Sequence, residues 1–304
     1  MAAKSGPPSA ELTSLGKLLY FEHRLSRSHK FSCNSCHQLD KYGVDNQPTS
    51  EGHKGQRGDR NSPTVYNAAI HFVQFWDGRA ADVEEQAAGP VMNPVEMAMK
   101  SEKDVVATLS SMPEYVDAFA KAFPGEKQPI SLANMAKAIG AFERLLVTPS
   151  RWDKFLKGDA AALTDEEKQG FNAFIAAGCQ TCHMGVNLGG SSFQKLGQIK
   201  PYEDQSDTGR AKVTKSDADK LMFKVPGLRN IEKTAPYYHN GKVATLKEAV
   251  SHMAEYQLGK TLSSQEQDLI IAFLKSLTGE LPAAHIAPPD LPKSTAKTPQ
   301  PDLT

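Results

Sequence analysis

All four cysteines of this 304-residue chain stand in two copies of one pentapeptide, Cys33-Asn34-Ser35-Cys36-His37 and Cys179-Gln180-Thr181-Cys182-His183. Cys-x-x-Cys-His is the attachment pattern of a c-type haem. Two thiols about one helical turn apart match the spacing of the two haem vinyl groups, and the adjacent imidazole turns onto the iron. No cysteine is left over, so the chain reads as the carrier of two covalent haems. That confines it to electron transfer or redox catalysis. A four-cysteine zinc site or a pair of disulfides is the competing reading. It is weakened because the two pairs lie far apart and zinc does not ask for a histidine directly after each.

The elements that position these groups are mostly helices. Leu12, Leu15, Leu18 and Leu19 give residues 9–20 one apolar face, and Leu132, Met135, Ile139, Phe142 and Leu146 do the same for 131–147. Ser101-x-x-Asp104, Thr164, Thr245-x-x-Glu248 and Ser263-x-x-Glu266 read as helix starts, the last two closing at about Gln257 and Leu277. Alternating strand patterns are nearly absent, so the fold class is mainly α.

An internal repeat divides the chain. Pro63-Thr-Val-Tyr-Asn67 aligns with Pro226-Gly-Leu-Arg-Asn230, and the same offset sets Asp77-Gly78-Arg79 on Asn240-Gly241-Lys242 and Glu85 on Glu248. Each half runs helix, pentapeptide, long loop, Pro-x-x-x-Asn, turn, helix, the order of a cytochrome c domain. The expected units are 1–150, 151–281 and a flexible or extended Pro-rich tail, 282–304, that has little to bury. With 35 basic and 35 acidic residues, no net field draws the chain to nucleic acid or an anionic membrane. No apolar run is long enough to span a bilayer. Met1-Ala2-Ala3-Lys4 opens a polar start without a visible leader. Since covalent haem is attached outside the bacterial cytoplasm, the expected location is periplasmic and the chain is read as a mature form.

The two irons should differ. The late helix of the second half carries His252-Met253, and a thioether favours ferrous iron, so His183 with Met253 makes a high-potential electron-transfer haem. His252 is the weaker candidate. At the repeat offset Met253 falls on Pro90, which has no ligand to offer, although Met92 is near. The first iron, held by His37, is therefore expected to have an open or displaceable site.

The segments Asn61-Ser62-Pro63-Thr64-Val65-Tyr66-Asn67, Gln74-Phe75-Trp76-Asp77-Gly78-Arg79 and Asn93-Pro94-Val95-Glu96-Met97 closely resemble the bacterial di-haem cytochrome c peroxidases. The resemblance runs from about Leu15 to Leu277. It implies reduction of hydrogen peroxide to water in the periplasm, with electrons from a small cytochrome c or a copper protein. It implies Glu96 as the distal acid and base, since peroxide cleavage needs a proton moved from one oxygen to the other. It implies Gln86 as a hydrogen-bonding group for the oxidant, Trp76 between the haems, and His53 as a removable ligand on a Gly- and Asp-rich loop, released when the other haem is reduced. Some members of the family rest with the site already open, and the sequence leaves both behaviours open. His71 is a rival that looks more packed. Asn61, Thr234 and Pro236 match an interdomain calcium site built from an amide and carbonyl oxygens. His239 is implied either as a partner of a haem propionate or as a turn residue. Members of the family are commonly homodimers.

Two other functions compete. Related di-haem enzymes that oxidise tryptophans of a partner protein carry a tyrosine where Met253 stands. A plain di-haem electron shuttle would have no use for Glu96.

Overall fold

Six of the longer helices begin at hydroxyl caps. Ser9, Ser101, Ser131, Thr164, Thr245 and Ser263 each accept a hydrogen bond from the backbone N–H three residues on. At Thr164, Thr245 and Ser263 a glutamate completes the box by accepting from the cap's own N–H. The computed structural model describes residues 7–304, so the reading of Met1–Lys4 lies outside the described residues.

The helices are α1 (Ala10–Phe21), α2 (Cys33–Cys36), α3 (Val83–Met92), α4 (Glu102–Ser110), α5 (Pro113–Ala122), α6 (Leu132–Glu143), α7 (Arg151–Leu156), α8 (Asp165–Ala177), α9 (Ala211–Thr214), α10 (Leu246–Leu258), α11 (Ser264–Ser276) and α12 (Ala283–Ile286). The one two-stranded sheet among the described residues pairs β1 (Phe193–Lys195) antiparallel with β2 (Met222–Lys224). The helix expected over 131–147 stops at Glu143. Leu145 and Leu146 there bond to carbonyls three residues back, a tighter turn that leads into Pro149.

In each half two helices cross at a glycine. A Cβ on Gly16 of α1 would lie 1.9 Å from the Ala138 carbonyl oxygen of α6, and one on Gly170 of α8 would lie 2.0 Å from that of Leu269 on α11. Only glycine permits so close a crossing. Around the first crossing Leu15, Leu19, Phe119, Ile139 and Phe142 are buried, and around the second Trp152, Phe174, Ile270 and Phe273.

The repeat recurs in the backbone at its constant offset. Asn67 and Asn230 both take the left-handed conformation before a short 3-10 turn. Phe75 and Tyr238 share positive φ, and the bridges Gln74–Ala80 and Tyr237–Val243 correspond. The two asparagines meet at one residue. Thr148 Oγ1 accepts from Asn67 Nδ2 (2.8 Å) and from Asn230 Nδ2 (2.9 Å), all buried. Thr148→Val keeps the shape and leaves two buried amide donors unpaired. The expected loss is about 2–4 kcal/mol, read as a fall of roughly 5 °C or more in the thermal midpoint of the holoprotein.

The tail departs from its expectation in one respect. Residues 282–304 are largely extended, as composition allows, but they are fastened rather than loose. Asp302 pairs with Arg27 (2.8 Å) and Lys100 (2.7 Å), Arg24 donates to Ser294 and to the Pro292 carbonyl, and Thr295 and Thr298 bond to Ser111. Ile286 and Leu291 pack on the first core. Composition registers how little the tail buries, not that basic residues elsewhere in the chain meet it.

Candidate functional site

Each pentapeptide opens onto its own cavity. The first, about 480 Å³, is lined by Cys33, Cys36 and His37, together with Trp76, Arg79, Gln86, Pro90, Glu96 and Met97. The second, about 230 Å³, is lined by Cys179, Cys182, His183, Met253, Tyr238 and His239. No disulfide joins any two of the four cysteines. Burial pushes Cys36 and Cys179 up to about 11, so neither is a ready thiolate. Among the described residues no three His, Cys, Asp or Glu side chains converge as a zinc site would require.

The cavities fit haem. His37 Nδ1 lies 3.0 Å from the Pro63 carbonyl and His183 Nδ1 lies 3.1 Å from that of Leu188. A carbonyl on one ring nitrogen fixes the tautomer and leaves the other free for a metal. The repeat-equivalent carbonyls of Pro63 and Pro226 each favour the protonated ring of their pentapeptide histidine, against the opposing effect of burial. Tyr20 donates its hydroxyl to the His37 carbonyl (2.7 Å) and anchors the first pentapeptide from α1.

The asymmetry read from the repeat is a matter of two positions. Met253 lines the second cavity and Pro90 lines the first. His252 is not on the cavity wall. Its ring lies among Tyr238 and Tyr256, with Nδ1 buried and unpartnered.

To the wall of the first cavity α3 supplies Gln86, and the turn after it supplies Glu96. Asn93 Nδ2 donates to Glu96 Oε1 (2.9 Å). Burial raises the Glu96 carboxyl above its ordinary range, while the charge of Arg79 and the Asn93 bond pull it back. Arg79 is fixed over the Phe75 ring, 3.4 Å from its centre, and bonds to Asp77. A carboxyl tuned upward in a cavity is suited to moving protons near neutral pH.

His53 is buried, not on the surface. Both ring nitrogens lack a hydrogen-bond partner, although its backbone N–H donates to the Glu96 carbonyl (2.8 Å). Its neighbours Ser50, Glu51 and Gly52 line the first cavity, but His53 itself does not. Two orphaned ring nitrogens cost stability unless another state supplies their partner. The rival His71 is occupied elsewhere: Lys224 Nζ sits 3.0 Å from its Nδ1, at the contact between the halves.

Trp76 lines both cavities. Its Nε1–H donates to the Asn61 carbonyl (2.9 Å), and its own carbonyl accepts from Lys224 N–H of β2 (2.8 Å). The second half thus holds the segment that carries it. Asn61, Thr234 and Pro236 share the wall of the second cavity. His239 stacks on Phe223 at 4.3 Å, and burial lowers its imidazole to about 4.

Sequence reasoning missed three contributors to the first cavity: Arg60, Lys212 and Glu143. Arg60 joins the halves through Asp77 and Asp207, both at 2.6 Å. Lys212 comes from the second half, so no local pattern points to it. Glu143 interrupts an otherwise apolar helix face, and that was the available signal.

The model of the di-haem cytochrome c peroxidase family matches residues 10–161. A cytochrome c551 peroxidase of Pseudomonas aeruginosa is 49% identical over 97% of this chain and 86% of its own length. One of Nitrosomonas europaea is 48% identical over 97% and 87%. Among solved structures, a MauG-like protein associated with microbial copper homeostasis superposes with a TM-score of 0.82 at 29% identity, covering 93% of this chain and 94% of that one.

Proposed function

Because the chain belongs to the di-haem cytochrome c peroxidase family and is a peroxidase of that kind, we propose that it draws electrons from a small cytochrome c or cupredoxin and works in the periplasm. The observation that carries the reading is one cavity holding the first pentapeptide, Gln86 and the upward-tuned Glu96 together. When bound, the two haems would supply the redox chemistry, His183 and Met253 holding the one suited to collecting electrons from the donor and His37 the one suited to delivering them to peroxide.

This chain's residues do the rest. Gln86 hydrogen-bonds the incoming hydrogen peroxide. Glu96 takes the proton from the inner oxygen and returns it to the outer one, which leaves as water. The inner oxygen left behind takes two electrons and two protons from solvent to become the second water, so one peroxide, two electrons and two protons give two waters. His53, buried beside the cavity rather than on its wall, is the removable ligand that enters the site and leaves it on reduction, and its backbone bond to Glu96 links that movement to the acid. Trp76, on the wall of both cavities, bridges the electron path. Asn61, Thr234 and Pro236 hold calcium between the halves, through oxygens that suit a hard cation. A homodimer belongs to the same proposal. Met253 on the second cavity wall favours this reading over oxidation of a partner's tryptophans, which would use a tyrosine there.

The test is peroxide-dependent oxidation of a reduced small cytochrome c by the haem-loaded protein. Enzyme preincubated with reductant and calcium is compared with the fully oxidised form. Fast turnover only after reduction is expected. Equal turnover in both would remove His53 as a gate, and no turnover with intact haem spectra would remove the donor reading.

A further inference from the structure

The first cavity holds an acid that the proposed chemistry does not use. Glu143, the last residue of α6, is 6% exposed and lines the cavity wall. Its carboxyl has no hydrogen bond from any described residue. The cation next to it in sequence is committed, since Arg144 gives two N–H groups to Glu84, at 2.9 and 2.8 Å. A buried, unpartnered carboxylate is expensive, and the usual resolution is to hold a proton. Burial, reinforced by the charge of Glu84 and opposed by Arg144, pushes Glu143 up to about 8.

The groups that face Glu143 from neighbouring elements leave it as the titrating one. Glu84 on α3 is paired with Arg144. Tyr20 on α1 is kept neutral by burial. Cys33 on α2 carries no proton once it is a thioether. Elsewhere on the cavity wall Asp77 is paired with Arg60, Glu51 with Arg57, and Asp59 with Lys212, which also meets Asp207. Glu96 is the remaining acid tuned upward there, with Arg79 acting on it.

We propose that Glu143 is a redox-linked acid of the first haem, taking a proton from solvent when that haem accepts an electron and releasing it when the haem is oxidised. The electron comes from the donor of the peroxidase reaction. A carboxylate left in the cavity would oppose reduction of the nearby iron, and protonation removes that opposition. The inference rests on the two-haem reading of the cavities and not on the identity of donor or oxidant.

The experiment is a spectroelectrochemical titration of the holoprotein from neutral to alkaline pH, with the two haems followed separately. For the first haem, the expected reduction equilibrium falls about tenfold per pH unit around pH 8, one proton per electron. In Glu143→Gln that slope disappears while the second haem is unchanged, and in Glu96→Gln it persists. Glu143→Leu, which removes a buried unpaired carboxyl, serves as a second variant should the amide disturb haem attachment. A slope that survives in both Glu143 variants, or is absent from the unsubstituted protein, overturns the proposal. So does a slope lost only in Glu96→Gln. None of these outcomes depends on peroxide turnover, so the peroxidase reading is tested apart from this one.

Discussion

Glu96→Gln is expected to lower peroxide turnover by about 10²–10⁴-fold, the range for losing a general acid–base group. The amide keeps the size of the side chain and can still accept from Asn93, so the turn over the first cavity should hold its shape. What it loses is the ability to take a proton from one oxygen and hand it to the other. Two measurements check this. Steady-state oxidation of reduced donor gives the size of the loss, and the haem spectra and potentials should be unchanged. A pH profile gives the cause. Burial raises the Glu96 carboxyl, and the base form is needed at the start of the step, so kcat/KM should decline as pH falls through a point above the ordinary carboxylate range. That limb should vanish with the substitution. A fall of less than about tenfold, with the acid limb intact, would take Glu96 out of the role.

How far the sequence carried this reading depended on whether a feature is local. The pentapeptides and helix caps are local: each needs residues within one turn, and the structure has the caps at the hydroxyls the spacing named. The repeat was legible because its bends demand particular residues, and the left-handed conformations of Asn67 and Asn230 recur at the same offset. Glu96 is different. Nothing in its spacing separates it from a surface acid, and only the resemblance of Asn93-Pro94-Val95-Glu96 singled it out. What escaped were contacts over long separation. Thr148 gathers an asparagine from each half, Lys212 enters the first cavity from the second half, and Asp302 returns to Arg27 and Lys100. Each is an ordinary polar residue whose partner is set by how two helical units dock. The burial of His53 belongs to the same class, because its loop composition suggested exposure while the turn bearing Glu96 covers it.

Met253→His is the second large effect expected. The wall positions Pro90 and Met253 are repeat equivalents, and that difference gives the second cavity a thioether where the first has a side chain with no ligand to offer. A thioether favours ferrous iron, whereas a second imidazole favours ferric iron, so the haem on His183 should lose its high potential. The expected drop is more than about 0.1 V, a fraction of the ~0.8 V over which axial ligands act. Potentiometric titration of each haem checks it, and the first haem should titrate as before. The functional consequence follows from the order of electron flow. A second haem that no longer accepts electrons readily from the donor leaves the first without its supply. Steady-state turnover should then collapse even though Glu96, Gln86 and the first cavity are untouched. Chemical reduction of the first haem should restore a single round of peroxide consumption, which separates a supply defect from a defect in the chemistry. An unchanged potential would mean that Met253 is not the ligand. The unpartnered Nδ1 of His252, one residue away, would then be the next group to test.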